Sequence, residues 1–211
     1  MAPISKSPPA TTVTGNYGIR AFNFGSGALA VTANGDVTAT GVFGIYAQNS
    51  AAGTDLDVTT GAGSTVTGNY GVFARNYGTG VLTVTANGDV TGSGADGIYA
   101  RNANGGSIDI TVASTSAVTS NGSGFAIRTE EGPTDLTVAG TLNGGAGGAA
   151  EFDQANALND RFALETTAII NGNVFGGLGT DTLALQGTGI GSFDVGQLVD
   201  FEAGEKTGTS T

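Results

Sequence analysis

Gly94-Ala-Asp-Gly-Ile-Tyr-Ala-Arg-Asn102 decides the fold, because the chain writes this stretch five times. The other copies start at Gly15 (GNYGIRAFN), Gly41 (GVFGIYAQN), Gly68 (GNYGVFARN) and, more loosely, Asn121 (NGSGFAIRT). Their fourth residues, Gly18, Gly44, Gly71, Gly97 and Gly124, are separated by 26, 27, 26 and 27 residues. A fixed period of this length marks stacked repeats. Within a copy, Ile19 and Ala21 point one way and Arg20 and Phe22 the other, the period-two alternation of a strand. A Gly/Ser/Asn turn follows, then a second strand at Leu29-x-Val31. After Asn34-Gly35 comes a third, at Asp36-Val37-Thr38. No segment carries helical periodicity.

Aligned by period, the repeats give apolar columns. The first strand supplies Ile19, Ile45, Val72, Ile98, Phe125 and Ala21, Ala47, Ala74, Ala100, Ile127. The second supplies Leu29, Leu56, Leu82, Ile108, Leu136 and Val31, Val58, Val84, Ile110, Val138. The third supplies Val37, Val66, Val90, Val118 and Leu142. If each repeat is one coil of a parallel solenoid, these columns stack at ~4.8 Å into continuous ladders, and each coil buries its apolar face only against its neighbours. A βαβ fold would need crossover helices, and a propeller a period of ~40–45 residues. The expectation is therefore an all-β chain folded as a three-sided parallel β-helix with no helix beyond about two turns. A 53-residue offset between VTGNYGIRAFN (13–23) and VTGNYGVFARN (66–76) points to growth by pairs of coils. Residues 1–11 read as a disordered, Pro- and Ser-rich tail, 12–143 as regular coils and 144–211 as irregular terminal coils. About eight coils follow. The stretch 151–160 is either a loop or a short helix.

Composition narrows the function. Thirty-eight glycines against four prolines suit tight turns, and with 39% hydrophobic residues the chain can bury a core. Eighteen acidic and seven basic residues give a net charge of −11, which leaves no basic footprint for nucleic acid. Without Cys or His there are no disulfides, no His/Cys zinc sites and no His-based triads. The N-terminal MAPISKSPPATT holds no apolar run of signal-peptide length, and no segment approaches ~20 apolar residues. The chain as given is expected to be soluble, either cytosolic or an excised piece of a longer protein.

Candidate site residues fall into four sets. Asn23, Asn49, Asn76 and Asn102 end successive first strands, where an asparagine ladder can satisfy turn backbone; Thr129 stands where the ladder breaks. Gly176-Gly-Leu-Gly-Thr-Asp-Thr-Leu-Ala184 matches a calcium-binding nonapeptide in every letter. It is single, however, and one carboxylate falls short of the 6–8 oxygens calcium takes, so no metal or cofactor is expected. The acids Asp55/Asp57, Asp153/Asp160 and Asp194/Asp200 are scattered on turns, which argues against a catalytic pair. Outward on the first strand, Arg20, Tyr46, Phe73 and Tyr99 form one row, with Arg75, Arg101 and Arg128 in the next. This is a candidate ligand face for glycans or anionic partners, unless Asp96, Glu130 and Glu131 neutralise it.

The coils resemble passenger domains of bacterial type V autotransporters. The more specific likeness is C-terminal: Asn171-Gly-Asn-Val-Phe-Gly-Gly-Leu-Gly-Thr-Asp-Thr-Leu-Ala-Leu185, Gly191-Ser-Phe-Asp194, Phe201-Glu202 and Glu205-Lys-Thr-Gly-Thr-Ser-Thr211. It resembles the passenger segment that precedes the autochaperone and barrel, although the interval from Phe201-Glu202 to Glu205-Lys206 is short for the family. The resemblance implies a right-handed β-helix of the pectin-lyase-like form, displayed on the bacterial surface and tethered to an outer-membrane barrel of the same parent chain. It implies a non-enzymatic stalk or adhesin binding host or matrix glycans or proteins; the absence of Cys suits export through a narrow pore. The alternatives are a polysaccharide-acting β-helix enzyme, which an acid cluster with Arg along one groove would favour, and a self-assembling solenoid associating end to end or side by side.

Overall fold

The computed structural model describes residues 12–210; the N-terminal tail expected at 1–11 lies outside the described residues. The chain winds as a three-sided parallel β-helix whose sheets carry seven, eight and eight strands. The first face starts at Val13–Gly15 and ends at Ile169–Asn171. The second runs from Ile19–Asn23 to Leu198–Val199, and the third from Gly27–Ala33 to Ala203–Lys206. The sole helix among the described residues is the three-residue 3-10 turn Val195–Gln197. Residues 152–160 form a loop.

The columns become the core. Ile45, Leu56, Val66, Val72, Leu82, Val90, Ile98 and Val118 are fully buried. Val37, Val66, Val90, Val118 and Leu142 stack in register on the first face, as expected. Removing such columns from water, at about 25 cal/mol per Å², is a gain no coil obtains alone. The fourth-residue glycines have a steric cause. A Cβ on Gly71 would sit 2.6 Å from both the Gly97 carbonyl oxygen of the next coil and Val90 Cγ1, closer than any real contact.

The fifth coil departs from the expected register by two residues. Ile127, not Phe125, pairs with Ile98. On the third face Leu136 pairs with Ile110, and Val138 with Val112. The cause is the corner Glu130-Glu131-Gly132-Pro133, where Glu131 takes a left-handed backbone (φ 63°) and shortens the turn. A two-residue slip preserves which side chains point inward, so hydrophobic alternation does not reveal it. Thr129 therefore lies inside, in the Ala100 column. It accepts a hydrogen bond from the Thr134 hydroxyl at 2.9 Å and is no member of the asparagine ladder.

Beyond this corner the coils shorten. Phe162, Leu183 and Gly204 share a column on the third face at 21-residue steps. The interior is refilled by aromatic rings: Phe152, Phe162 and Phe201 lie 6.2–6.4 Å apart, and Phe193 packs 6.4 Å from Phe162.

Candidate functional site

The second face carries both sets of residues singled out from sequence. At its corner with the third face, Asn23, Asn49, Asn76 and Asn102 are in register, and the last three are fully buried. Only the Asn23 amide donates directly to its neighbour, to Asn49 Oδ1 at 2.7 Å. The others donate to turn carbonyls: Asn49 to Thr54 and Asp55, Asn76 to Thr54 and Gly80, Asn102 to Gly80 and Ser107. Each carbonyl shared by two amides stitches one coil to the next, which leaves the ladder no free face for a ligand.

Outward on the same strands, Arg20, Tyr46, Phe73 and Tyr99 align in one row. Arg128 continues this row, paired with Tyr99, rather than the Arg75–Arg101 row where the sequence alignment put it; Glu130 takes that place opposite Arg101. The fifth-coil slip thus ends the arginine column at two. The rings cover one another. Phe73 and Tyr99 stack at 4.6 Å and 13°, Phe43 lies 4.9 Å from Tyr46 and 4.7 Å from Phe73, and Phe73 and Tyr99 are 7% exposed. Sequence reasoning missed Phe43 and Tyr70, which fill the gaps between rows. Their recurrence after Gly41 and Asn69 was the available signal.

The arginines divide by partner. Arg101 makes a bidentate pair with Glu131 (2.6 and 2.8 Å), which pushes its pKa further up. Arg128 lies 3.2 Å from Glu130 and 3.0 Å from Glu151. The Tyr99 hydroxyl donates to Glu130, and burial together with that bond raises the phenol's pKa. Asp96 does not neutralise an arginine by contact: it is buried and accepts the Phe125 N–H at 2.8 Å. Arg20 and Arg75 have no carboxylate within ion-pair distance among the described residues. Instead Arg20 lies over Tyr17 (4.8 Å) and Phe22 (5.1 Å). Arg75 lies over Phe73 (4.6 Å) and Tyr99 (5.8 Å), with its Nε buried and unbonded. Cation–π contact leaves the guanidinium N–H groups in its plane free to donate.

Further along, the second face opens into a groove of about 440 Å³ lined by Arg128, Glu130, Glu131, Glu151 and Asp153 and walled by the loop through Asn156. Burial raises the Glu151 pKa in spite of Arg128. Asp153 is held low by bonds from Asn156 and the backbone of Ala155, Glu131 and Asn156, which outweigh its burial. Of the other acids, Asp55 accepts the Val81 N–H at 2.9 Å, a link between coils. Asp194 caps the 3-10 turn through Gly196 N–H. Asp181, the carboxylate of the nonapeptide, is fully buried and accepts the Asp160 N–H at 2.8 Å. Among the described residues no group of three or more acidic, His or Cys side chains is placed to hold a metal ion. No helix is long and apolar enough to cross a membrane. Comparison with protein-family models, with curated proteins and with solved structures finds no match in any of the three.

Proposed function

We propose that the chain is a non-enzymatic, surface-displayed β-helical passenger segment of the autotransporter kind, a stalk that binds acidic glycans through the aromatic–arginine face of its first four coils. Its place is the bacterial cell surface, held by an outer-membrane barrel of the parent polypeptide. One observation carries the reading. In a chain of net charge −11, Arg20 and Arg75 lie on aromatic rings with no acid beside them. An unpaired guanidinium framed by rings offers a sugar carboxylate a charge-assisted fork and the sugar ring a stacking platform.

The probe is polygalacturonate, compared with its neutral methyl ester. Wild type binds the carboxylated form, and Arg20→Gln/Arg75→Gln weakens binding by about 10-fold or more, the worth of one charge-assisted contact. Arg101→Gln, already neutralised by Glu131, changes it by less than about threefold. Equal binding by the double variant and wild type sinks the proposal. The groove at Arg128 and Glu151 favours a second reading, a polysaccharide-acting enzyme. Release of new reducing ends or unsaturated products from the same glycan would establish it.

A further inference from the structure

One inward column changes chemistry halfway along the solenoid. In the first four coils it is Leu29, Leu56, Leu82 and Ile108. In the last four it becomes Thr134, Asp160, Asp181 and Glu202, as the register of the following residues fixes. Each acid accepts the backbone N–H of the residue one coil earlier: Asp160 Oδ1 from Thr134 (2.6 Å), Asp181 Oδ1 from Asp160 (2.8 Å), Glu202 Oε2 from Asp181 (2.8 Å). Asp160 and Asp181 are 2% and 0% exposed. Their second oxygens, Oδ2 in both, are buried with no hydrogen-bond partner. No cation answers them among the described residues. The adjacent Arg161 turns outward to Asp135 and Glu205. The charged groups that do face the column are further acids, Asp153 and Asp181 towards Asp160, and Asp200 and Glu202 towards Asp181.

We propose that this carboxylate corner is a proton-operated latch: Asp160 and Asp181 hold protons in mild acid, and losing them at higher pH loosens the three terminal coils. Two buried, unpaired, mutually facing carboxylates cannot both ionise cheaply, whereas a proton on each orphan oxygen removes the charge. Burial, reinforced by Asp181 and Asp153, pushes Asp160 up to about 7, and burial likewise raises Asp181. For a folded-state pKa above the unfolded value, the stabilisation is complete below the unfolded pKa, about 4, and is lost as pH rises through about 7. The terminal coils are therefore tighter at pH 5 than at pH 8. Asp160 alone separates these conditions by about two pH units of linkage, or about 100-fold in the opening equilibrium.

The test is amide hydrogen exchange on the whole chain at pH 5 and pH 8, corrected for intrinsic rates. Residues 160–206 are compared with 82–112, whose inward column is aliphatic. Protection in the terminal segment should fall about 100-fold more than in the reference. Asp160→Asn/Asp181→Asn keeps an acceptor for each N–H and cannot titrate, so it should flatten the difference; if that variant does not fold, the wild-type comparison decides by itself. Equal loss of protection in both segments overturns the latch. Calcium that restores wild-type terminal protection at pH 8, reversed by chelator, overturns it too, because the corner would then hold a cation rather than protons.

Discussion

Replacing Asn76 by alanine measures what the asparagine ladder is worth. Asn76 is fully buried. Its Nδ2 donates to Thr54 O (3.0 Å) and Gly80 O (3.2 Å), and its Oδ1 accepts from Gly78 N (2.9 Å). The two carbonyls are shared, so each keeps a donor: Asn49 still reaches Thr54 O and Asn102 still reaches Gly80 O. Only the buried Gly78 N–H is orphaned, at about 1–3 kcal/mol, and the vacated amide volume adds a fraction more. The expected loss is about 2 kcal/mol. Asn102→Ala should cost less, about 1 kcal/mol, since its Oδ1 has no partner to lose. Asn49→Ala with Asn76→Ala strips both side-chain donors from Thr54 O, so the double variant should exceed the sum of the singles by about 1 kcal/mol. Urea unfolding followed by far-ultraviolet circular dichroism reads all four proteins. Strict additivity, or Asn102→Ala as costly as Asn76→Ala, would refute the shared-carbonyl account.

Gly71→Ala should destabilise by more than about 2 kcal/mol, because its Cβ meets the Gly97 carbonyl and Val90 Cγ1 at 2.6 Å; a thermal midpoint within a degree of wild type would contradict the close approach. At the C-terminal edge Lys206 falls in the inward column after Leu164 and Leu185, an inward charge of the sort that blunts strand edges. Light scattering should show wild type monomeric, and Lys206→Leu associating with rising concentration. Wild type forming end-to-end oligomers as readily would restore the self-assembling reading.

How much of this was legible depends on what each feature leaves in the sequence. The coils of residues 12–120 were legible, because period-two alternation repeated every 26–27 residues is imposed by stacking itself. The slip at Glu131 was not: two residues is one full period of a strand, so Phe125 and Leu136 fit the wrong slots as well as the right ones. That slip decided the ligand face, since it moved Arg128 out of the Arg75–Arg101 row and put Glu130 in. Ion pairing was legible as a set of nearby acids, but not as the division that leaves Arg20 and Arg75 free. The acid column did leave a trace, Asp160-x-Phe, Asp181-x-Leu and Glu202-x-Gly at steps of 21. A search at the period of the first half passes over it.

The change of period and the change of column chemistry have one cause. Wherever a β-helix turns between faces, backbone groups leave the ladder and need partners. An asparagine both donates and accepts, but it needs a turn long enough to fold its amide inward: Ile98 to Ile110 takes 12 residues across the corner. A carboxylate on the inward column takes an N–H from the coil before it and needs no such turn, so Val174 to Leu183 takes nine. The shorter corner gives up a leucine position in the core, and Phe152, Phe162 and Phe201 restore the lost volume. The two halves thus answer the same demand with groups of different titration. Amides bind the first four coils equally at any physiological pH, whereas the acids bind the last ones best when protonated. A stalk built this way should therefore open from its C-terminal end first in alkali, while the aromatic–arginine face of the first coils stays folded and competent to bind.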